Sequence, residues 1–349
     1  MVHVTKEGIL LERTALTFES HGVLNPGAIR EGNSVHLFYR AVRDGNHSTI
    51  GHCRLDGPHE VVERSSKPVI VPEFPYESLG VEDPRICQID GTYYLTYTAY
   101  DGTNALGALA LSEDLINFRK HGIIVPRFSY TEFESLTKGG RDIEDRYLGY
   151  CNCEPFITGN QLHQQIWDKD VLFFPQRING KLCFLHRIKP DIQIVRMDEL
   201  ADLTTEFWED YISRLNEHTC LTPKYDHEIS YIGAGAPPIE TESGWLLIYH
   251  GVKCTPEGNC YSACAALLDL YDPRKEIARL PHPLFSPEYS WELHGEVDHV
   301  CFPCGTALFG DTLYIYYGAA DRQIAYASLS LAELLAELKL NTKAHETLS

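Results

Sequence analysis

Two adjacent carboxylates, a proline and an arginine stand together in Gly80-Val81-Glu82-Asp83-Pro84-Arg85-Ile86. Carboxylic acids with a cation at hand are what general acid–base chemistry uses. On an extended strand successive side chains alternate faces, so only one of Glu82 and Asp83 is expected to face a given cavity. Arg85 shares the side of Asp83 and is expected to hold its carboxylate. The plain alternative is a strand-entry turn with a salt bridge, since Asp-Pro is an ordinary turn dipeptide.

A basic group forms the second constellation: Lys169-Asp170, Arg177 and His186-Arg187. Lys169 opens one strand-like run and His186-Arg187 closes the next, and antiparallel neighbours bring those ends side by side. Closely placed Lys, His and Arg make an anion site, with arginine supplying a planar fork for phosphate or carboxylate. Arg40 adds a cation at the matching place of an earlier repeat. Further polar candidates are Asn25, Tyr249-His250, Glu292 and Asp321. Glu292 follows Trp291, and a ring beside a carboxylate suits a sugar, whose apolar face stacks on the ring. Ordinary packing of Trp291 is the alternative.

The elements that position these residues repeat five times. A Gly- or Asn-marked turn leads into Ser34–Arg40, Thr92–Tyr97, Lys181–His186, Trp245–His250 and Thr312–Tyr317, runs of aliphatic and aromatic residues that read as β-strands. With Tyr39, Tyr97, His186, Tyr249 and Tyr317 equivalent, the intervals are 58, 89, 63 and 68 residues, the length of a four-stranded sheet with its loops. The expectation is an all-β, five-bladed β-propeller forming one domain over residues 1–349. A first strand precedes each copy, at Asn25–Ile29, Glu82–Ile86, Lys169–Pro175, Ala236–Ile239 and Val300–Pro303. Polar residues at these starts are expected to converge on one end of the axis. The long interval implies an inserted loop near 127–168. Phe207, Tyr211 and Leu215 imply an amphipathic helical insertion near 204–218, and a helix closes the chain from Leu329.

The formal net charge is −19 and no extended Lys/Arg cluster occurs, so nucleic acid and anionic membrane are poor partners. No run of about 18 apolar residues is present to span a membrane. The start of the chain carries no signal-peptide pattern, which implies a cytoplasmic protein. Eleven cysteines then read as reduced, mostly buried thiols. The pairs Cys151-x-Cys153 and Cys301-x-x-Cys304 lack a second well-spaced ligand pair, so no metal site is expected.

Taken together, Asn25-Pro26, Tyr39-Arg40-Ala41, Gly80–Ile86, Tyr94–Tyr100, Lys169-Asp170, Phe174-Pro175, Ile178–Lys181, Leu185-His186-Arg187, Gly244–Gly251 and Tyr316–Asp321 resemble glycoside hydrolase family 130, the β-mannoside phosphorylases and related β-mannosidases. The resemblance runs from about residue 22 to 335 and itself implies a five-bladed propeller. It also implies inverting phosphorolysis of a short β-mannoside to α-mannose 1-phosphate. Asp83 would be the general acid, passing its proton through a mannosyl hydroxyl. Inorganic phosphate, a co-substrate in place of any cofactor, would replace the water and general base of an inverting glycosidase.

By the same resemblance Arg40, Lys169, His186 and Arg187 match phosphate ligands, and Asn25, Glu292 and Asp321 match positions that hold sugar hydroxyls. Glu82, Arg85, Tyr249 and His250 complete the expected substrate-binding set. The segment after Arg187 and the 127–168 insertion depart from the family pattern. The alternative within the family is a β-mannosidase using water. More distant alternatives are an arabinan- or xylan-cleaving hydrolase, against which Asn25 argues, and a non-catalytic sugar-binding propeller. A homo-oligomer is compatible with these residues.

Overall fold

The computed structural model describes residues 1–138, 147 and 164–346. After β1 (Thr5–Leu11), unit one contains β2 (Gly22–Glu31), β3 (Ser34–Arg43), β4 (His47–Asp56) and β5 (Glu60–Arg64). Unit two contains β6 (Gly80–Ile89), β7 (Thr92–Tyr100), β8 (Ala105–Ser112) and β9 (Arg119–Ile123). α1 (Tyr130–Lys138) precedes unit three, which contains β10 (Lys169–Phe173), β11 (Leu182–Arg187), β12 (Ile192–Met197), α2 (Thr205–Ser213) and β13 (Thr219–Leu221). Unit four contains β14 (Tyr231–Ala234), β15 (Ile239–Thr241), β16 (Gly244–Thr255), β17 (Gly258–Leu268) and β18 (Glu276–Arg279). After α3 (Ser290–Leu293), unit five contains β19 (Cys301–Phe309), β20 (Thr312–Ala319) and β21 (Gln323–Ser330), followed by α4 (Leu331–Glu346). The chain is thus mostly β, and each unit is an antiparallel meander.

All five second strands expected from the sequence form, as β3, β7, β11, β16 and β20. β1 pairs with β21, so the start of the chain supplies the outermost strand of the last unit. Units one and two share a single parallel pair, Ser48 with Gly80. The first strand of unit four departs from expectation: it breaks between Ala234 and Ile239, where Pro237 and Pro238 have no amide to donate.

Alternating side chains on each second strand pack against two different neighbours, which explains why these runs are apolar on both faces. On β16, Leu246 and Ile248 meet Leu313 and Ile315 of unit five, whereas Trp245 and Leu247 meet Leu172 and Leu185 of unit three. On β11, Phe184 faces Leu109 of unit two. On β3, Leu37 packs with Tyr316 of unit five, and Phe38 faces Leu95 of unit two. Around the first strands, backbone meets backbone. A Cβ on Gly27 would lie 2.7 Å from the Pro84 carbonyl oxygen, and one on Gly305 would lie 2.6 Å from that of Pro26.

The described part of the first insertion packs with the second beside unit three. Part of the expected 127–168 loop is helical (α1), and its Phe133 joins Trp208, Tyr211 and Ile212 of α2 in one apolar cluster. The 204–218 insertion is α2 followed by a 3₁₀ turn at Leu215–His218, with Trp208, Tyr211 and Leu215 buried and Phe207 at the edge. Thr204 caps α2 by accepting from the Phe207 amide. The Cys151-x-Cys153 pair lies outside the described residues. Cys301 and Cys304 are buried free thiols.

Candidate active site

Each of the first three units interrupts its innermost ladder at the same place. The β2–β3 register slips between Leu24 and Gly27, β6–β7 between Glu82 and Arg85, and β10–β11 between Lys169 and Leu172. At these bulges Asn25, Asp83 and Asp170 take φ values of 50°, 50° and 55°. Asn and Asp enter this left-handed region more readily than other side-chain-bearing residues, and bulges re-aim side chains near active sites. All three line one chamber of about 190 Å³, together with Arg40, Lys169 and Arg187 among others. An adjoining cleft of about 500 Å³ shares Arg40, Trp167, Lys169 and Asp321, and adds Glu82 and Tyr100.

The bulge corrects the expectation that only one of the adjacent acids faces the cavity: Asp83 lines the chamber and Glu82 the cleft. Arg40 serves both, with Nη2 2.7 Å from Glu82 Oε1 and Nη1 3.8 Å from Asp83 Oδ1. Asn25 Nδ2 also donates to Asp83 Oδ1, at 2.8 Å. Arg85 is not the clamp expected for the Asp83 carboxylate. It is fully buried, donates to the main-chain oxygens of Asp83 and Gly235, and places Nη2 3.9 Å from Asp170.

Lys169 and Arg187 are register partners across β10 and β11, as the antiparallel argument required. Arg187 Nη1 lies 2.9 Å from Asp170 Oδ2, and Lys169 pairs with no carboxylate among the described residues. Burial opposes ionisation of Asp170, but Arg187, then His250 and Arg85, outweigh it and hold the carboxyl below its usual range. His250 is buried beneath the chamber, 3.7 Å from Asp170, and burial drives its imidazole down to about 3. Burial pushes the Asp321 carboxyl up to about 6; Arg40 opposes the shift and Asp83 adds to it.

The carboxylates of Glu82, Asp83, Asp170 and Asp321, several cations and a lysine with no carboxylate partner among the described residues, around a polar cavity, make a site for an anion beside a neutral polar ligand. Residues 7–340 match the profile of glycosyl hydrolase family 130, described as beta-1,4-mannooligosaccharide phosphorylase. The chain belongs to this family. Among its relatives are a 1,2-beta-oligomannan phosphorylase of Thermoanaerobacter sp. (strain X514), 34% identical and covering 93% of this chain and 96% of its own, and a beta-1,4-mannooligosaccharide phosphorylase of Ruminococcus albus, 32% identical over 85% and 74%. The fold matches the Listeria innocua beta-1,2-mannobiose phosphorylase in its mannobiose complex, with a TM-score of 0.72, 23% identity, and coverage of 97% and 99%.

In this family 130 chain three expected site residues stay away from the cavity. His186 is fully buried, its Nδ1 2.7 Å from Asp168 Oδ2 and its Nε2 2.7 Å from the Tyr211 hydroxyl. Strand alternation explains this, since neighbouring Arg187 takes the cavity side. Tyr249 is buried and donates to Glu228 at 2.6 Å. Glu292 is buried and accepts from the Tyr317 hydroxyl and Lys6 Nζ, each at 2.7 Å, while Trp291 stacks on Tyr289. The geometry brings Asn25, Arg40, Glu82, Asp83, Lys169, Arg187 and Asp321 together, with Arg85 and His250 packed beneath. Sequence reasoning gave no role to Asp170, Trp167 or Lys189. Aligning the bulges would have singled out Asp170, and period-two spacing from Arg187 would have pointed to Lys189.

Proposed function

We propose that the chain is an inverting phosphorylase, cleaving a short β-mannoside with inorganic phosphate to give α-mannose 1-phosphate and the shortened sugar. The observation that carries this reading is the cation set Arg40, Lys169 and Arg187 converging on the chamber of Asp83, with Lys169 free of any described carboxylate. A hydrolase needs a second carboxylate to activate water. Here Asp170 and Glu82 are neutralised by Arg187 and Arg40, and the remaining chamber carboxylate, Asp321, lies in the field of Arg40 and Lys169.

In this reading Asp83 is the general acid. Its contacts from Asn25 and Arg40 fall on Oδ1, which leaves Oδ2 to carry the proton toward the sugar. Phosphate held by Lys169, Arg187 and Arg40 attacks the anomeric carbon from the opposite face. The anomeric C–O bond breaks as the new C–O–P bond forms, and the leaving oxygen takes the proton that Asp83 releases through a mannosyl hydroxyl. Asp321 and Asn25 orient sugar hydroxyls. The named activities of the relatives support this assignment, β-1,2 and β-1,4 linkages both occurring among them.

The five units with alternating packing partners, and the return of β1 to unit five, support a five-bladed propeller acting as one catalytic domain. No described helix is long and apolar enough to cross a membrane. A cytoplasmic setting fits a reaction whose charged sugar phosphate is useful only where it is retained. The test is incubation with β-1,2- and β-1,4-mannobiose, with and without phosphate. Mannose 1-phosphate formed only with phosphate is expected; free mannose released at the same rate without phosphate would make the enzyme a hydrolase.

A further inference from the structure

Trp167 borders both the chamber and the adjoining cleft, a place it shares with Arg40, Lys169 and Asp321. It stands two residues before the start of β10. Asp168 turns away into its bond with His186, while Trp167 and Lys169, two residues apart, face the cavity. The ring is fixed from several sides. Its Nε1 donates to the Thr103 carbonyl oxygen at 2.9 Å, and Lys169 Nζ lies 5.7 Å from the ring centre. The neighbouring main chain is pinned where the Gly107 amide donates to the Asp168 oxygen at 2.8 Å and the Asp168 amide donates to the Ala105 oxygen at 3.1 Å.

The chamber of about 190 Å³ that contains Asp83 shares Arg40, Trp167, Lys169 and Asp321 with the larger cleft of about 500 Å³, so a substrate whose reacting sugar sits at Asp83 has the cleft for its remaining length. Cations and carboxylates make up half of the chamber's lining, and a pyranose also has an apolar face to cover. Resting on the phosphorylase reading above, we infer that Trp167 is the stacking platform for the leaving sugar, and so a specificity-determining residue for the acceptor end of the substrate. A ring already held by its indole N–H and a pinned backbone loses little freedom when the sugar arrives, which is the condition for such a contact to add affinity. Tyr100, across the same cleft, offers a second aromatic edge.

The test separates the sugar from the phosphate. Trp167→Ala should raise the KM for the β-mannoside roughly tenfold while the phosphate KM changes less than twofold, and Trp167→Phe should recover most of the loss. Independently of turnover, titrating wild type with mannobiose should change tryptophan fluorescence, and Trp167→Phe should abolish that change. Trp208, Trp245 and Trp291 line neither cavity and should not respond. Active wild type whose Trp167→Ala variant keeps the sugar KM, or whose Trp167→Phe variant keeps the fluorescence change, would overturn the inference. Wild type that forms no mannose 1-phosphate from either mannobiose would instead overturn the phosphorylase reading.

Discussion

In units one, two, four and five a tyrosine of the second strand donates to a fully buried glutamate from the segment before the first strand. The pairs are Tyr39 with Glu19 at 2.8 Å, Tyr97 with Glu77 at 2.7 Å, Tyr249 with Glu228 at 2.6 Å and Tyr317 with Glu292 at 2.7 Å. A cation from the outermost strand completes each lock: Arg64, Lys120, Arg279 and Lys6. Unit three differs. His186 holds the tyrosine's place, Asp168 the glutamate's, and Tyr211 of α2 closes the group in place of a cation. Equal phase in the repeat therefore means equal structural duty, even where the residue types change. Tyr249, Glu292 and His186 are all consumed in locks. The cavity is lined instead by residues that break the repeat, at the bulges and beside them.

The sharpest way to break this contrast is at the bulge. Asp83→Asn should leave the melting temperature near wild type and lower kcat by about 10²–10⁴-fold, because an amide cannot donate the proton. Turnover within threefold of wild type would remove Asp83 from the acid role. At a lock the effect should be the reverse. Lys6→Ala leaves Glu292 buried without its cation and should cost about 3–5 kcal/mol of stability, read by denaturant unfolding, with kcat of the folded enzyme unchanged. A loss below about 1 kcal/mol would show that the lock is ornamental.

Asp321 sharpens the comparison through pH. Its folded carboxyl titrates at about 6 against about 4 when unfolded, so the folded chain binds an extra proton between these values. The stability this confers is present below about pH 4 and lost as pH rises through 6. Asp321→Asn should therefore stabilise the fold by about 2–3 kcal/mol above pH 6, and the gain should vanish below pH 4. A pH-independent difference would mean that Asp321 does not titrate in this window. The smallest effect expected is that of a chelator: with Arg and Lys neutralising the phosphate, EDTA should leave activity unchanged.

The repeat, the second strands and the cluster of acids and cations were legible in the sequence because little besides a repeated β-meander produces aliphatic and aromatic runs that end near a Tyr or His at such intervals. The bulges were not. A slip of register leaves little mark beyond Asn25-Pro26 and Asp83-Pro84, and those dipeptides also fit plain turns. Alternation therefore misjudged Glu82 beside Asp83. It also went unused at His186 and Arg187, where it would have sent one residue to the lock and the other to the cavity. Glu292 was misread because a buried carboxylate beside a tryptophan looks the same in sequence whether it meets a sugar or a distant Lys6.

The central claim is that the cavity cations bind phosphate while unit three's histidine holds the fold, and the phosphate KM measured beside the melting temperature tests it most directly. Lys169→Ala should raise the phosphate KM by roughly 10- to 150-fold at an unchanged melting temperature, the value of one charge-assisted contact. His186→Gln should lower the melting temperature and leave the phosphate KM within about threefold. A phosphate KM that rises with His186→Gln and stays constant with Lys169→Ala would contradict the account.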